Sequence, residues 1–422
     1  MKEGLVSMEQ KLHTPEGIRD IYNKECESKL TIQKLLNHVF HLYGYSDIQT
    51  PTFEYNDVFR EEIGSTSTKD LYRFFDRDGN ILALRPDITP SVARAVATVF
   101  KEEELPLRLC YSGNTFINHS NYRGHLRENT QLGTELIGAD SVQADAEMLA
   151  LVSSCLKQVG LNEFQISVGH VDFVQSLLEQ TALTTNEKVH VLTLLSNRNY
   201  FGIEEFLLSH NVKSTICKAF QLLPELVGTS DIFKKALEVA PDVKSQNCIK
   251  RLEKIDRFMK LYGSDRNIIY DLSMNGTYGY YTGIIFRAYT FGTGDAIVRG
   301  GRYDHLLEKF GKNTPSIGFA IIIDKLMNAL MRQKINIKQR ERIRLYYLHE
   351  RVEEAIMIAN YFRHKNRCFE MVEVHTSISL NKLEEHAIQS RASAYVYLRE
   401  HEQMNIGNFI SGQRKFFDLK QL

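Results

Sequence analysis

The chain has 422 residues, 43% hydrophobic and 25% charged, which is enough for a large core and more than one domain. Lysine plus arginine and aspartate plus glutamate balance at 52 each, so no global basic field attracts nucleic acid. Six widely spaced cysteines form no CxxC pair, which argues against a zinc site and favours free thiols in a reducing cytosol. The N-terminus has no apolar core typical of a signal peptide, and no apolar run reaches the roughly 18 residues of a membrane span, so we expect a cytoplasmic protein without a membrane partner.

The first part of the chain alternates helices with hairpins. Apolar positions at helical spacing predict a long helix over residues 22–43, and GYSDIQTPTFEY then predicts a bent strand. LYRFFDRDGNILALRPD predicts a β-hairpin that turns at Asp78 and Gly79. Thr89 and Pro90 then open a helix, with proline in its first turn.

Two strands, LPLRLCYSGNTF and ENTQLGTELIGA, flank a polar loop within residues 114–129. A helix and a strand follow, and residues 172–262 then form a predicted helical insertion. Strand patterns return with NIIYDLSM, GYYTGIIFRAYTF and DAIVRGGRYD, and SIGFAIIIDKLMNALMR passes from strand to helix. Residues 1–334 therefore predict an α+β core, an antiparallel sheet with flanking helices.

The charged segment 335–342 is a predicted linker. Residues 343–422 alternate strands and helices, which predicts a small α/β domain of parallel type. The domain has no GxGxxG motif, so nothing in it indicates nucleotide binding.

The strand QLGTE suggests a binding surface. Side chains alternate along a strand, so Gln131, Gly133 and Glu135 share one face, and Leu132 and Leu136 lie on the other. Gly133 would leave room for a ligand between two acceptors. The alternative is a solvated sheet face with a glycine bulge.

The segment GYYTG has a similar pattern, in which a polar side chain and a glycine alternate along a predicted strand. On an extended strand Tyr281 and Gly283 would share one face, with Tyr280 and Thr282 opposite. A tyrosine hydroxyl in a pocket wall donates or accepts hydrogen bonds. The alternative is an aromatic core strand.

Two turn motifs add polar groups. Asp87 and Thr89 of LRPDITPS would suit an ammonium group, or they form an ordinary helix cap. In GGRYD, Asp304 is a candidate helix N-cap beside Tyr303, and simple turn chemistry is the alternative. Together these acceptors and hydroxyls suit a small zwitterion with a hydrogen-bonding side chain.

The order of TPEGIRDI, LRPDITP, QLGTE, YYTG, GGRYD and SIGFA resembles the catalytic core of histidyl-tRNA synthetase, a class II aminoacyl-tRNA synthetase, over residues 12–330. The last domain resembles that enzyme's anticodon-binding domain, most clearly at ASAYVYLRE. The resemblance implies a histidine site with three sets of contacts: Asp87, Thr89 and Gln131 on the α-amino group, Glu135 and Tyr281 on the imidazole, and Tyr303 closing the pocket. Asp87 replaces the usual glutamate and is one methylene shorter.

Four positions depart from the synthetase pattern, and at three of them a cationic group is lost or weakened. The arginine expected after the motif 2 phenylalanine is Ile117, and the acid two positions further on is His119. The arginine expected before GYY falls at Asn275 or Gly276, and the motif 3 arginine is Lys325. Guanidinium groups offset the charge that develops on phosphate oxygens, so we expect no adenylation.

A retained histidine pocket without activation resembles the regulatory subunits of ATP phosphoribosyltransferase. That family implies a non-catalytic chain, without cofactor or metal, that activates a short-form catalytic subunit and takes part in histidine feedback. It also implies a self-dimer within a hetero-octamer and no tRNA partner. We expect the loop within 114–129 to order over Gln131 and Glu135 when histidine binds.

Two other functions remain open at this point. The C-terminal domain also suits an active histidyl-tRNA synthetase, which the missing arginines oppose. A non-catalytic tRNA-binding paralogue is the second alternative, which the balanced charge opposes.

Overall fold

The structure, a computed structural model, describes residues 13–60, 66–119, 126–276, 280–374, 378–398, 403–408 and 413–418. The chain divides into two units, Met1–Ile337 and Lys338–Leu422, and the boundary lies inside the segment 335–342. Part of the loop within 114–129, residues 120–125, lies outside the described residues, as do 277–279 of NGTYG.

The described strands are β1 (Ser46–Asp47), β2 (Phe53–Tyr55), β3 (Arg73–Phe75), β4 (Ile81–Leu84), β5 (Leu107–Phe116), β6 (Glu128–Ile137), β7 (Phe164–His170), β8 (Val227–Gly228), β9 (Ile268–Asp271), β10 (Ile284–Thr290), β11 (Val298–Arg302), β12 (Ser316–Ile322), β13 (Arg342–Leu348), β14 (Cys368–Val374), β15 (Ala394–Leu398), β16 (Gln403–Asn408) and β17 (Gln413–Asp418).

The described helices are α1 (Asn23–Leu42), α2 (Thr89–Thr98), α3 (Val142–Gln158), α4 (Val171–Glu179), α5 (Thr185–Ser196), α6 (Tyr200–Ser209), α7 (Ser214–Leu222), α8 (Ile232–Val239), α9 (Val243–Leu261), α10 (Ile323–Arg332), α11 (Val352–His364) and α12 (Leu380–Gln389). None of these helices is long and apolar enough to cross a membrane.

The first unit is built on a nine-stranded sheet in the order β1-β5-β6-β12-β11-β10-β7-β9-β8. Its central strands pair antiparallel, as the sequence predicts. The β1–β5 and β7–β9 pairs are parallel, and each has the long connection that a parallel pair requires. The expectation of an antiparallel sheet therefore holds for its centre and fails toward its two edges.

One face of this sheet is covered by helices. Leu132 and Leu136 of β6 enter a core cluster with Leu36 and Phe40 of α1 and with the buried face of α3. The pattern follows from strand alternation and from the helical spacing of the apolar residues. It leaves the Gln131 and Glu135 face of β6 directed to the other side.

A separate three-stranded sheet has the order β2-β4-β3. The predicted hairpin forms β3 and β4, and Gly79 in its turn has a φ of +83°, which favours glycine. The predicted bent strand 44–55 is divided between two sheets, since β1 joins the large sheet and β2 joins the small one.

The segment 172–262 is mainly helical and comprises most of α4 through α9. It also supplies the two-residue strand β8, which pairs with β9 at the edge of the large sheet. The second unit carries a five-stranded sheet in the order β14-β13-β15-β16-β17. Strands β14, β13 and β15 are parallel as predicted, whereas β16 and β17 are antiparallel, because the short β15–β16 and β16–β17 connections join neighbours directly.

Candidate functional site

A cavity of about 660 Å³ lies on the Gln131 and Glu135 face of the large sheet. Its walls come from β6, β11 and β12, from the turn before α2 and from the segment before β10. All six predicted ligand-binding residues line it: Asp87, Thr89, Gln131, Glu135, Tyr281 and Tyr303. Strand alternation and the order of the motifs therefore bring these side chains together.

Glu135 lies at the centre of the polar wall and is only 1% exposed. The hydroxyl of Thr89 donates to its Oε1 at 2.7 Å, and the hydroxyl of Tyr303 donates to its Oε2. Burial raises the pKa of Glu135 to about 8, and these two hydrogen bonds offset only part of that rise. At neutral pH the carboxyl is therefore largely protonated.

Acceptors suited to an ammonium group lie beside Glu135. Asp87 accepts from the backbone N–H of Ile88 at 2.7 Å and from the Tyr280 hydroxyl at 3.4 Å. The Oε1 of Gln131 is buried and has no hydrogen-bond partner among the described residues. A buried acceptor without a partner is costly, so a donor from a ligand would stabilise it.

Three tyrosines form the aromatic wall, and here the predicted alternation is wrong. Tyr280 and Tyr281 both line the cavity, because β10 begins only at Ile284 and the preceding segment is not a regular strand. The ring of Tyr281 packs on Gly301, where an added Cβ would lie 2.8 Å from the ring. The Tyr280 and Tyr303 rings meet edge to face with centroids 6.0 Å apart.

The expected space over Gly133 is filled by the protein itself. A Cβ on Gly133 would lie 2.4 Å from the Tyr111 hydroxyl and 2.3 Å from the Phe319 carbonyl oxygen. The glycine therefore admits the ring of Tyr111, not a ligand. Gly318 on β12 has the comparable role for Glu135, whose Oε2 would lie 1.7 Å from an added Cβ.

Asp304 is not the predicted helix N-cap. Its carboxylate accepts from the Thr282 hydroxyl at 3.0 Å and from the Ser316 backbone N–H at 3.1 Å. The helical turn after it begins at Leu307, with Leu306 as its cap. Asp304 instead connects Thr282, which follows Tyr280 and Tyr281, to Ser316 at the start of β12.

The four positions that depart from the synthetase pattern fall in two places. Ile117, His119 and Lys325 line the cavity. Asn275 does not, because its amide donates to the Leu192 carbonyl and the Ser196 hydroxyl of α5, both at 3.0 Å. A hydrocarbon side chain and a lysine thus stand where the sequence comparison expects arginines.

The cavity also contains a charged group that the sequence analysis missed. Arg299 donates from Nη2 to both carboxylate oxygens of Asp295 at 2.8 Å, and Lys325 donates to the same carboxylate. Burial would raise the pKa of Asp295, but the hydrogen bond from Lys325 and the charge of Arg299 outweigh it and lower that pKa to about 2. Strand alternation in VRGGR places Arg299 on the same face as Gly301, and this pattern could have predicted that Arg299 faces the cavity.

Asp324 also lines the cavity, and its negative charge is offset by a lysine that does not line the cavity. Lys29 of α1 donates to its Oδ1 at 3.0 Å, and the backbone N–H of Thr130 donates to Oδ2 at 2.8 Å. These contacts connect α1, β6 and the start of α10. They give Asp324 a positioning role in the wall.

Within the part of the chain that the structure describes, two groups of possible metal ligands lie outside the cavity, each with its ligand atoms within 4.8 Å of one another: His41, Asp47 and Cys110, and His170, Asp172 and Cys248. Protein partners engage both groups. His41 Nε2 lies 2.8 Å from Asp47 Oδ2, and Lys244 Nζ lies 3.3 Å from Asp172 Oδ1. We assign neither group to a metal ion.

Comparisons with known proteins agree with this geometry. The family model of histidyl-tRNA synthetase matches residues 17–326. The ATP phosphoribosyltransferase regulatory subunit of Acetivibrio thermocellus is 37% identical over 78% of this chain and 79% of its own length. The subunit of the same name from Thermoanaerobacter sp. is 38% identical over 85% of this chain and 94% of its own.

Solved structures support the same fold. A structure from Bacillus halodurans, described as an ATP phosphoribosyltransferase regulatory subunit/histidyl-tRNA synthetase, has a TM-score of 0.81 and 29% identity, covering 91% of this chain and 97% of that one. A histidyl-tRNA synthetase from Nostoc sp. has a TM-score of 0.82 at 17% identity over 97% of both chains, which supports the fold alone. The predicted class II synthetase-like fold is confirmed, and the chain belongs to the family of ATP phosphoribosyltransferase regulatory subunits, which is built on the histidyl-tRNA synthetase core.

Proposed function

We propose that the chain is the regulatory subunit of an ATP phosphoribosyltransferase and acts in histidine biosynthesis without catalysing a reaction itself. The names of its curated relatives support the assignment to that complex. The observation that carries the rest of the proposal is the cavity, which keeps polar groups suited to histidine and has Ile117 where activation calls for a cation.

We assign the histidine contacts by chemistry. The ammonium group would donate to Asp87, to the buried Oε1 of Gln131 and to the hydroxyl oxygen of Thr89, whose proton is already directed to Glu135. The imidazole would lie against Glu135 and Tyr281, where an oxygen of the Glu135 carboxyl group accepts from a ring N–H. Tyr303 closes this side through its hydrogen bond to Glu135.

The same cavity is poorly equipped to activate an amino acid with ATP. Adenylation concentrates negative charge on phosphate oxygens, and losing one fixed donor to such charge costs about 3–4 kcal/mol of transition-state stabilisation. Ile117 brings no charge, and the charge of Lys325 is offset by Asp295. We therefore propose that synthetase activity is absent and that tRNA is not a substrate.

Regulation requires a difference in affinity. Histidine inhibits only if it binds two states of the complex with unequal affinity. We propose a short-form catalytic subunit as the partner, a cytoplasmic hetero-octamer containing a self-dimer of this chain as the assembly, and the loop within 114–129 as the segment that responds to histidine.

The test is reconstitution with a short-form ATP phosphoribosyltransferase subunit. The two chains should co-purify, phosphoribosyl-ATP formation should need this chain, and histidine should inhibit the complex. Glu135→Ala should remove histidine inhibition without preventing assembly, and the exposed Glu225→Ala should change neither. Failure to associate, or full inhibition in the Glu135→Ala complex, would contradict the proposal.

A further inference from the structure

Arg299 lies near Asn275, the position at which the synthetase pattern has an arginine and this chain does not. Asn275 and Arg299 line the same small cavity, together with Tyr281, although they lie 24 residues apart in the chain (299 − 275). Arg299 also lines the large cavity, whereas Asn275 is bonded to α5. A guanidinium from β11 therefore reaches the region that residues 275–276 leave without charge.

The strand register places Arg299 at a useful separation from Glu135. On β12, Gly318 faces Glu135 of β6 and Ala320 faces Arg299 of β11. The two side chains thus start two strands apart, at roughly 4.8 Å per strand, and are offset by two residues, roughly 7 Å along β12. Both side chains line the large cavity, so a ligand in it lies between them.

Opposite charges stand on the two walls. Arg299 and Lys325 carry two positive charges against the single carboxylate of Asp295, which leaves a net charge of +1 there (2 − 1). On the polar wall, Asp87 is a carboxylate, whereas burial raises the pKa of Glu135 to about 8 and keeps it largely neutral. Asp70 also lines the cavity, and Lys29 offsets Asp324. This polarity suits a zwitterion with its ammonium at Asp87 and its carboxylate at Arg299.

We propose that Arg299 recognises the carboxylate of the amino acid bound in this cavity and so determines specificity for an α-amino acid over the corresponding amine. The inference rests on the proposed histidine site. A guanidinium has five N–H donors in a planar fork that matches a carboxylate, and Asp295, which engages Nη2 with both oxygens, fixes the orientation of that fork.

The experiment is calorimetry of the full-length chain with L-histidine and with histamine, which keeps the imidazole and the amine and lacks the carboxylate. The wild type should bind histidine more tightly than histamine. Arg299→Gln should weaken histidine by about tenfold or more, as expected for a hydrogen bond to a charged group, and leave histamine within about twofold. Arg287→Gln is the matched control, because Arg287 faces Arg299 across the strands and does not line the large cavity.

Three results would overturn the inference. Equal weakening of both ligands by Arg299→Gln would mean a structural role only. If Lys325→Gln lost the preference for histidine over histamine and Arg299→Gln kept it, Lys325 would be the residue that binds the carboxylate. A wild type that binds no histidine would contradict the proposed pocket itself. If Arg299→Gln does not fold, as judged by circular dichroism, Arg299→Lys replaces it and should reduce the preference for histidine, because lysine keeps the charge without the fork.

Discussion

Glu135 shows how one residue can be both part of the core and part of a site. It is buried between β5 and β12, and its two oxygens accept from Thr89 and Tyr303. Gly318 opposite it has no side chain to compete for that space. A ligand that donates to this carboxyl must therefore meet a group whose protonation is set by burial.

This burial predicts a pH-dependent stability. The folded-state pKa of Glu135 is about 8, above the ordinary value of 4.5, so folding takes up a proton between these values. The stabilising contribution is complete below about pH 4.5 and is lost as the pH rises through 8, at up to about 1.4 kcal/mol per pH unit. Glu135→Gln cannot titrate and should lose less stability over that range. Urea unfolding at pH 5.5 and 7.5 measures the loss, because both pH values lie between the unfolded-state and the folded-state pKa of Glu135.

The control for this prediction is Glu225→Gln, an exposed carboxylate paired with Lys235. It should follow the wild type at both pH values. If the wild type and Glu135→Gln lost stability in parallel, Glu135 would not be the titrating group.

At the residue scale the sequence predicted the cavity side chains well, because order and strand alternation determine which of them share a face. Its failures have local causes. Tyr111 fills the space over Gly133, which a single strand cannot reveal because the ring belongs to the neighbouring strand. Arg299 was missed because a motif comparison looks for a cation at the position of Asn275 itself. In the structure Arg299, which is distant in the chain, lines the same small cavity as Asn275.

At the element scale, a buried ion network joins the helical insertion to the site. Asp145 of α3 is fully buried and accepts from Arg302 of β11 at 2.6 Å and from Arg251 of α9 at 2.6 Å. Arg302 is followed directly by Tyr303, and it also donates to Asp304 at 3.2 Å. The insertion is therefore anchored at the strand that positions Tyr303.

Removing the shared carboxylate should be costly. Asp145→Ala leaves two guanidinium groups without their main partner, one of them buried, and breaking a buried pair in this way costs about 3–5 kcal/mol. Asp57→Ala removes an exposed pair with Arg60 and should cost about 1 kcal/mol or less. Urea unfolding of the two variants measures the difference, and equal costs would contradict the anchoring role.

The elements themselves were largely predictable, since apolar periodicity and turn residues are local signals. The start of β10 was not, because Tyr280 and Tyr281 precede the regular strand and Thr282 bonds instead to Asp304 and Arg302. The antiparallel β16 and β17 were missed as well. The parallel pairs of the large sheet join distant segments, and no local pattern reports such a pairing.

At the scale of the whole molecule, the three-stranded sheet presents an aromatic surface to solvent. Phe53, Tyr55 and Phe74 share one face of this sheet and are 50%, 59% and 38% exposed, and the Phe53 and Phe74 rings meet with centroids 5.6 Å apart. Contiguous apolar surface of this kind is typical of a protein interface. We propose that this sheet contributes to the self-dimer.

Light scattering tests that proposal. The wild type should have twice the mass of one chain at micromolar concentration, and Phe53→Ser should shift it toward the monomer. Phe201→Ser, at a residue of α6 that is 77% exposed, should leave the dimer intact. A monomeric wild type, or a dimer sensitive to Phe201→Ser alone, would place the interface elsewhere.

The central claim is that the cavity holds histidine and does not activate it. The most direct measurement is histidine-dependent ATP–pyrophosphate exchange on the purified chain, with histidine binding followed by calorimetry on the same sample. We predict saturable histidine binding and no exchange above background. Exchange at the rate of a synthetase would contradict the account, because Ile117, Asn275 and Lys325 would then not have removed the chemistry.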